Sequence, residues 1–248
     1  MPLDEYRAKR DFTRTPEPAG DARPTRRRRG KRFFCVQKHL ATQLHYDFRL
    51  EHGGVLLSWA VPRGPSLDPR DKRLAMQVED HPLEYGEFEG IIPDGYGAGV
   101  VMLWDRGTWE PEVEDVEQAL AKGDLKLRLD GYKLKGSWVL VRTRGWTGQG
   151  RSSTRDQGRS WLLIKHRDEW SGPLDITEFA PLSVKSGGDF GDIVTSALPA
   201  FWTSNPRAGS GDVLASLTAI VEKVEKLQGK PIVIEPTPAP KRKSKPRP

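Results

Sequence analysis

The sequence predicts a mainly β protein, an antiparallel sandwich or barrel, on three observations. Eight short runs rich in apolar, β-branched and aromatic residues recur between Phe33 and His166. Several are separated by Gly or Pro, which break strands, and only two stretches carry helical spacing instead. Taken in order, residues 1–32 read as a flexible basic arm, because 13–30 are rich in Pro, Gly and Arg and poor in core-forming residues. The folded domain is expected over 33–180. Its predicted strands are FFCVQKH (33–39), LHYDFRL (44–50), VLLSWAV (55–61), RLAMQV (73–78) and GVVMLW (99–104), then LKLRLDG (125–131), GSWVLVR (136–142) and WLLIKH (161–166). A short helix is predicted over 113–122, with early acids and Gly123 as its stop. Residues 145–160 (GWTGQGRSSTRDQGRS) read as a flexible loop. An extension over 181–229 carries a second, amphipathic helix at 212–228, where Val213, Leu217, Ile220, Val221, Val224 and Leu227 recur at helical spacing before Gly229. That helix either packs on the core or docks a partner. Residues 230–248 form a Pro/Lys/Arg tail expected to be disordered.

Charge is distributed unevenly. Residues 1–32 hold eleven Lys/Arg against five Asp/Glu, and 229–248 hold six against one, so a chain of net charge +6 has a middle of −5. Clustered cations such as Arg26 to Arg29 suit a polyanion, although a solvated tail is the plainer reading. Any phosphate-binding surface in the acidic middle must be local, or made positive by a metal. No run approaches the roughly 18 apolar residues of a membrane span. The start of the chain carries no apolar run of a secretory signal, and the single Cys35 has no disulfide partner. A cytoplasmic, nucleoid-associated protein is expected, with no membrane contact and a monomer as the default.

The segment QKHLATQLHYDFRLEH carries the chemistry. Strand side chains alternate faces, so His45, Asp47 and Arg49 share one face of LHYDFRL. The preceding strand ends at His39, with Gln37 on the same face. A hairpin joining the two brings His39 within reach of His45. Two imidazoles and a carboxylate suit a divalent ion such as Mn²⁺ or Zn²⁺ with open positions for substrate; ordinary surface histidines are the alternative. In QVEDHPLEY, Glu79 and His81 are placed on one strand face, with Tyr85 following. Glu79 can orient a metal-bound water or a histidine, and His81 can protonate a leaving oxygen or stabilise phosphate charge. A polar strand end before Pro82 also explains them. Arg49 and Arg73 are phosphate candidates, because a guanidinium matches phosphate oxygens bidentately. The stretch PDGYGAG (93–99) lacks the lysine of a nucleotide P-loop. It is either a sharp turn bringing backbone to the site or a plain hairpin loop.

These residues resemble a known family. QKHLATQLHYDFRLEHGGVLLSWAVPRGPSLDP, KRLAMQVEDHPLEYGEFEGIIP and GYGAGVVMLWDRG look like the 3'-phosphoesterase module of bacterial DNA ligase D. The similarity continues more weakly through LKGSWVLVRTR and WLLIKHRDEW, covering roughly residues 30–170. Tyr6, Arg10, Asp11 and Phe12, with TPEP (15–18), resemble the segment before that core. The resemblance implies a closed or nearly closed antiparallel β barrel with flanking helices and a polar, crescent-shaped site. It implies a Mn²⁺-dependent enzyme that removes a 3'-terminal ribonucleoside and then the remaining 3'-phosphate, leaving a 3'-OH for end-joining repair. By motif, His39, His45 and Asp47 match metal ligands, and Arg49 and His81 match phosphate-contacting or catalytic residues. Arg73, Glu79 and Tyr85 match supporting members; Arg10, Asp11 and Glu17 match N-terminal residues serving the same activity. Gln37 and Arg63 complete the expected substrate contacts. Two departures stand out: Arg63 replaces a frequent lysine in VPKGPS, and the Gly-rich turn is one residue short. No KxDG ligase motif occurs, so the sequence reads as a stand-alone enzyme or a module of a larger chain. The implied partners are a DNA primer-template and a repair ligase, polymerase or Ku-like protein. The alternative is a non-catalytic DNA-end-binding accessory protein.

Overall fold

A computed structural model describes residues 3–13, 15–20, 32–143, 158–196 and 211–232. Nine strands form: β1 Arg32–Leu40, β2 Leu44–His52, β3 Val55–Val61, β4 Arg73–Gln77, β5 Gly90–Ile92, β6 Gly99–Pro111, β7 Asp124–Gly131, β8 Lys135–Arg142 and β9 Ser160–Lys165. All pairings are antiparallel, in the order β1-β2-β3-β4-β9-β8-β7-β6, and β1 pairs again with β6. Eight strands therefore close a barrel, and β5 adds to the β6 edge near Gly99. Closure removes the open edges that would recruit another sheet. It resolves the choice between sandwich and barrel.

Alternation divides each strand between two environments. Phe34, Val36, Tyr46, Phe48, Leu50, Trp59 and Val61 join one core that also holds Trp104, Trp138 and Trp161. Trp59 and Trp161 meet edge to face at 5.9 Å, a geometry favoured by about 0.5–1.5 kcal/mol beyond burial. The opposite face of β1–β3 carries Cys35, Gln37, His39, Asp47, Arg49, Leu56 and Ser58. A half-buried strand is expected to wet such a face, yet these side chains are buried as well. Residues 3–20 and the segment from 79 to 88 cover them.

The covering segment corrects the expectation of a flexible arm over 1–32. Helix α1 (Asp4–Ala8) presents Tyr6, fully buried, to a small cluster with Leu56 and Tyr85. The Tyr6 hydroxyl donates to the Pro18 carbonyl at 2.6 Å, fastening the returning chain. Within the expected arm, residues 21–31 lie outside the described ones, as does most of the expected loop at 145–160.

Helix α2 occupies Val116–Lys122, capped by the Asp115 carboxylate on Gln118 N–H and ended by Gly123 at φ 79. A short helix α3 (Ile176–Phe179) and a helical segment at 190–196 (α4) follow. Helix α5 (Gly211–Gln228) packs on the barrel core through Leu217, Ile220 and Val224, while Leu227 is exposed. Core packing is therefore the outcome for its apolar stripe. No described helix is long and apolar enough to cross a membrane.

Candidate active site

The β1–β2 hairpin sets His39 opposite His45 and Gln37 opposite Asp47. The two imidazole rings lie 4.8 Å apart. His39 Nε2 is 2.8 Å from the Gly97 carbonyl, and His45 Nδ1 is 3.0 Å from the Gln43 carbonyl. A carbonyl oxygen only accepts, so those ring nitrogens carry the hydrogens. The other nitrogen of each ring faces Asp47: His39 Nδ1 lies 3.6 Å from Oδ2, and His45 Nε2 lies 3.6 Å from Oδ1. Three donor atoms thus lie within 4.8 Å of one another, within small side-chain adjustments of ligation at roughly 2.0–2.2 Å. Backbone acceptors behind metal-binding imidazoles fix the tautomer in this way. The donor set fits a divalent transition ion.

Gly97 supplies its carbonyl from a tight turn. Ala98 N–H donates to the Gly95 carbonyl at 3.2 Å, and Gly97 has φ 81 in the third position, the left-handed geometry a type II turn requires. The Gly-rich stretch is therefore both a β5–β6 hairpin loop and a device that brings backbone to His39. Its shortness does not remove that contact.

Arg49 organises the next layer. Its Nε donates to Gln37 Oε1 at 2.7 Å, one terminal nitrogen to Ser58 Oγ at 2.8 Å and the other to Asp47 Oδ2 at 2.9 Å. Gln37 in turn donates to the carbonyls of Tyr85 and Phe88, both at 2.9 Å. Its amide is fully occupied beneath the site, so Gln37 acts as a strut for Arg49. Burial opposes ionisation of Asp47, but the Arg49 guanidinium and the two imidazoles outweigh it and hold the carboxyl well below the usual range.

The arm completes the far end. Arg10 donates to Glu17 at 3.0 Å, to Glu79 at 3.1 Å and to His81 Nε2 at 3.2 Å, and its guanidinium lies 4.0 Å from the Tyr6 ring centroid. Glu79 also accepts from Lys9 at 3.0 Å. Glu79 and His81 do not sit on a strand, since β4 stops at Gln77. An isolated bridge to Leu56 holds His81 instead. His81 donates from Nδ1 to the Glu79 carbonyl at 2.8 Å. Burial, then the Arg49 and Arg10 charges, push its pKa well below 6.5 and keep it neutral. The Tyr85 ring packs 4.8 Å from His81, and burial pushes its phenol well above 10.

A cavity of about 550 Å³ opens onto both ends, lined by His39, His45 and Asp47 on one side and Arg10, Glu79 and His81 on the other. Asp11 stays outside it, accepting from Thr13 and lining a smaller adjoining hollow. Arg63 and Arg73 are also absent; they line a separate cavity of about 290 Å³ with Asp71 and Lys72. Sequence reasoning noted Tyr6 only as part of the resemblance and missed Lys9 and Ser58; the roles of all three arise from packing.

Residues 37–142 match the sequence profile of the DNA ligase D 3'-phosphoesterase domain. Over these residues the barrel is similar to that family. Across the chain, a multifunctional non-homologous end joining protein LigD of Pseudomonas aeruginosa is 53% identical over 175 residues, 70% of this chain and 20% of the relative. A LigD end-joining repair protein of Mycobacterium tuberculosis is 42% identical over 158 residues, 62% of this chain and 20% of the relative. The Mycolicibacterium smegmatis LigD is 36% identical over 191 residues, 75% and 23% respectively. The chain spans about a fifth of the length of these relatives. The matched stretch runs from Gln37 through β8, so it contains the candidate metal ligands His39, His45 and Asp47, together with Arg49, Glu79 and His81.

Proposed function

We propose that the chain is a metal-dependent 3'-phosphoesterase acting on DNA ends in end-joining repair, removing a 3'-terminal ribonucleoside and then the 3'-phosphate. One observation carries this reading: two imidazoles, each tautomer-locked by a backbone carbonyl, aim lone pairs at a carboxylate within an arginine-bearing cavity. His39, His45 and Asp47 would hold the ion, for which Mn²⁺ is proposed. When bound, it supplies positive charge against a phosphate oxygen and lowers the barrier by charge neutralisation.

The charge balance of the site supports the need for that ion. Arg10, Arg49 and Lys9 are matched by Glu17, Glu79 and Asp47, so the protein alone offers a phosphate dianion no net attraction. Arg49 keeps Asp47 ionised and directed at the imidazoles. Arg10 and His81 face the same cavity and bind the remaining phosphate oxygens. Incoming phosphate charge offsets the two guanidinium charges that suppress protonation of His81. Once Arg10 turns its N–H from His81 Nε2 to phosphate, that nitrogen is free to take a proton from solvent water and pass it to the leaving oxygen. Tyr85 and the arm exclude water from this end.

The test is a 5'-labelled primer-template ending in one 3'-ribonucleotide, incubated with Mn²⁺ and resolved on a denaturing gel. The expected ladder runs from ribonucleotide end to 3'-phosphate to 3'-OH and disappears with EDTA or His45→Ala. An unchanged primer, with duplex binding intact, would overturn the enzymatic reading and leave an end-binding protein.

A further inference from the structure

Tyr96 has no part in the metal or phosphate contacts, yet it stands at their entrance. It occupies the second position of the turn whose next residue, Gly97, fixes His39. The residue is 51% exposed, a large aromatic side chain left partly in water beside a charged cavity. It borders both the main cavity and the small hollow next to it. The ring is not loose: Lys9 Nζ lies 5.0 Å and the Arg10 guanidinium 5.6 Å from its centroid. Cations over an aromatic face hold its plane and polarise it. An exposed ring, fixed by the arm and beside a phosphate-sized polar site, has the geometry on which a base stacks.

We propose that Tyr96 is the stacking platform for the nucleobase of the strand's terminal nucleoside. The proposal rests on the nucleic-acid-end reading above and names which part of the substrate the cavity rim recognises. Stacking is tolerant of base identity, because every base has a π face, so the platform selects for a base without selecting which one. The turn provides the means: with glycines at Gly95 (φ 83) and Gly97 (φ 81), it lifts Tyr96 outward while the adjoining carbonyl turns inward to His39. Ligand positioning and base recognition are thereby built into one four-residue loop.

The experiment measures binding by fluorescence anisotropy, in EDTA so that no turnover occurs. The probes are primer-templates ending in a 3'-adenosine ribonucleotide or in an abasic ribose at the same position. Wild-type protein is expected to bind the base-bearing end about tenfold more tightly. Tyr96→Ala should collapse that ratio toward one, and Tyr96→Phe should restore it, since the ring stacks without its hydroxyl. Equal affinity of wild type for both ends, or a ratio preserved in Tyr96→Ala, overturns the proposal. So does a ratio lost equally in Tyr96→Phe, which would indicate a hydroxyl contact. Discrimination without any product in the gel assay would sink the hydrolytic reading and leave this one standing.

Discussion

The two ends of the main cavity are assembled in opposite ways. The end proposed to hold the metal is a product of one hairpin: His39, His45 and Asp47 lie within nine residues, and alternation along two paired strands suffices to bring them together. The arm end is made by long-range contact, with Arg10 reaching Glu79 and His81 across about seventy residues. The first is therefore rigid by local geometry, whereas the second exists only while residues 3–20 stay docked. Metal binding and phosphate handling should be separable by mutation.

The largest effect is expected at the metal end. Asp47→Asn keeps the shape but removes the charge that gathers both imidazoles. It should lower turnover on a 3'-ribonucleotide primer by roughly a thousandfold, the several kcal/mol of charge stabilisation that a bound ion supplies. The rise in Tm that Mn²⁺ gives the wild type should vanish with it. At the arm end, Arg10→Ala should cost roughly a hundredfold in kcat/KM, as loss of one charge-stabilising donor does. Its Mn²⁺-induced rise in Tm should survive. Loss of that rise in Arg10→Ala would show the two ends to be one cooperative unit.

The same contrast decides what was legible in the sequence. Period-two alternation and breaker residues located eight of the nine strands; β5, only Gly90–Ile92, is too short to carry a pattern. They also located the cluster of His39, His45 and Asp47, because its members are neighbours on paired strands. Arg10, Asp11 and Glu17 entered only through family resemblance. The ordering of residues 3–20 was not legible, since Tyr6 is a single aromatic in a polar stretch and its burial depends on Leu56 and Tyr85. Gln37 was placed on the correct face, but alternation cannot distinguish a side chain that meets substrate from one bonded beneath it.

A third, smaller effect separates the ends by pH. His81 is held neutral in the folded protein, whereas the unfolded chain takes up a proton near pH 6.5. The unfolded state then binds more protons, so this contribution to stability is complete above 6.5 and is lost as pH falls below it. The slope approaches about 1.4 kcal/mol per pH unit. Asp80 and Asp105, both raised to about 6 by burial, act in the opposite sense: their contributions are lost as pH rises through 6. The signal is therefore the difference between wild type and His81→Gln in urea denaturation at pH 5 and 7. Identical pH dependence in the two proteins would refute a neutral His81.

The smallest effect is expected outside both ends, at the second cavity. Ala60, in β3, lines the main cavity, and Pro62, just past the end of β3, lines the second. The Arg63–Arg73 cavity thus begins where β3 ends, two residues beyond a residue that lines the main cavity, on a path open to a strand leaving it. Arg73 gives one terminal nitrogen to Asp71 at 2.9 Å, while its buried Nε has no protein partner. Arg63 is exposed. Neither touches the metal residues, so Arg63→Ala should weaken primer-template binding about tenfold or less and leave kcat nearly unchanged. Each phosphate contact releases about one counterion, so the slope of log K against log salt should fall by roughly 0.9. A kcat loss as large as that of Arg10→Ala, with the salt slope intact, would move Arg63 from the path of the strand into the reacting centre.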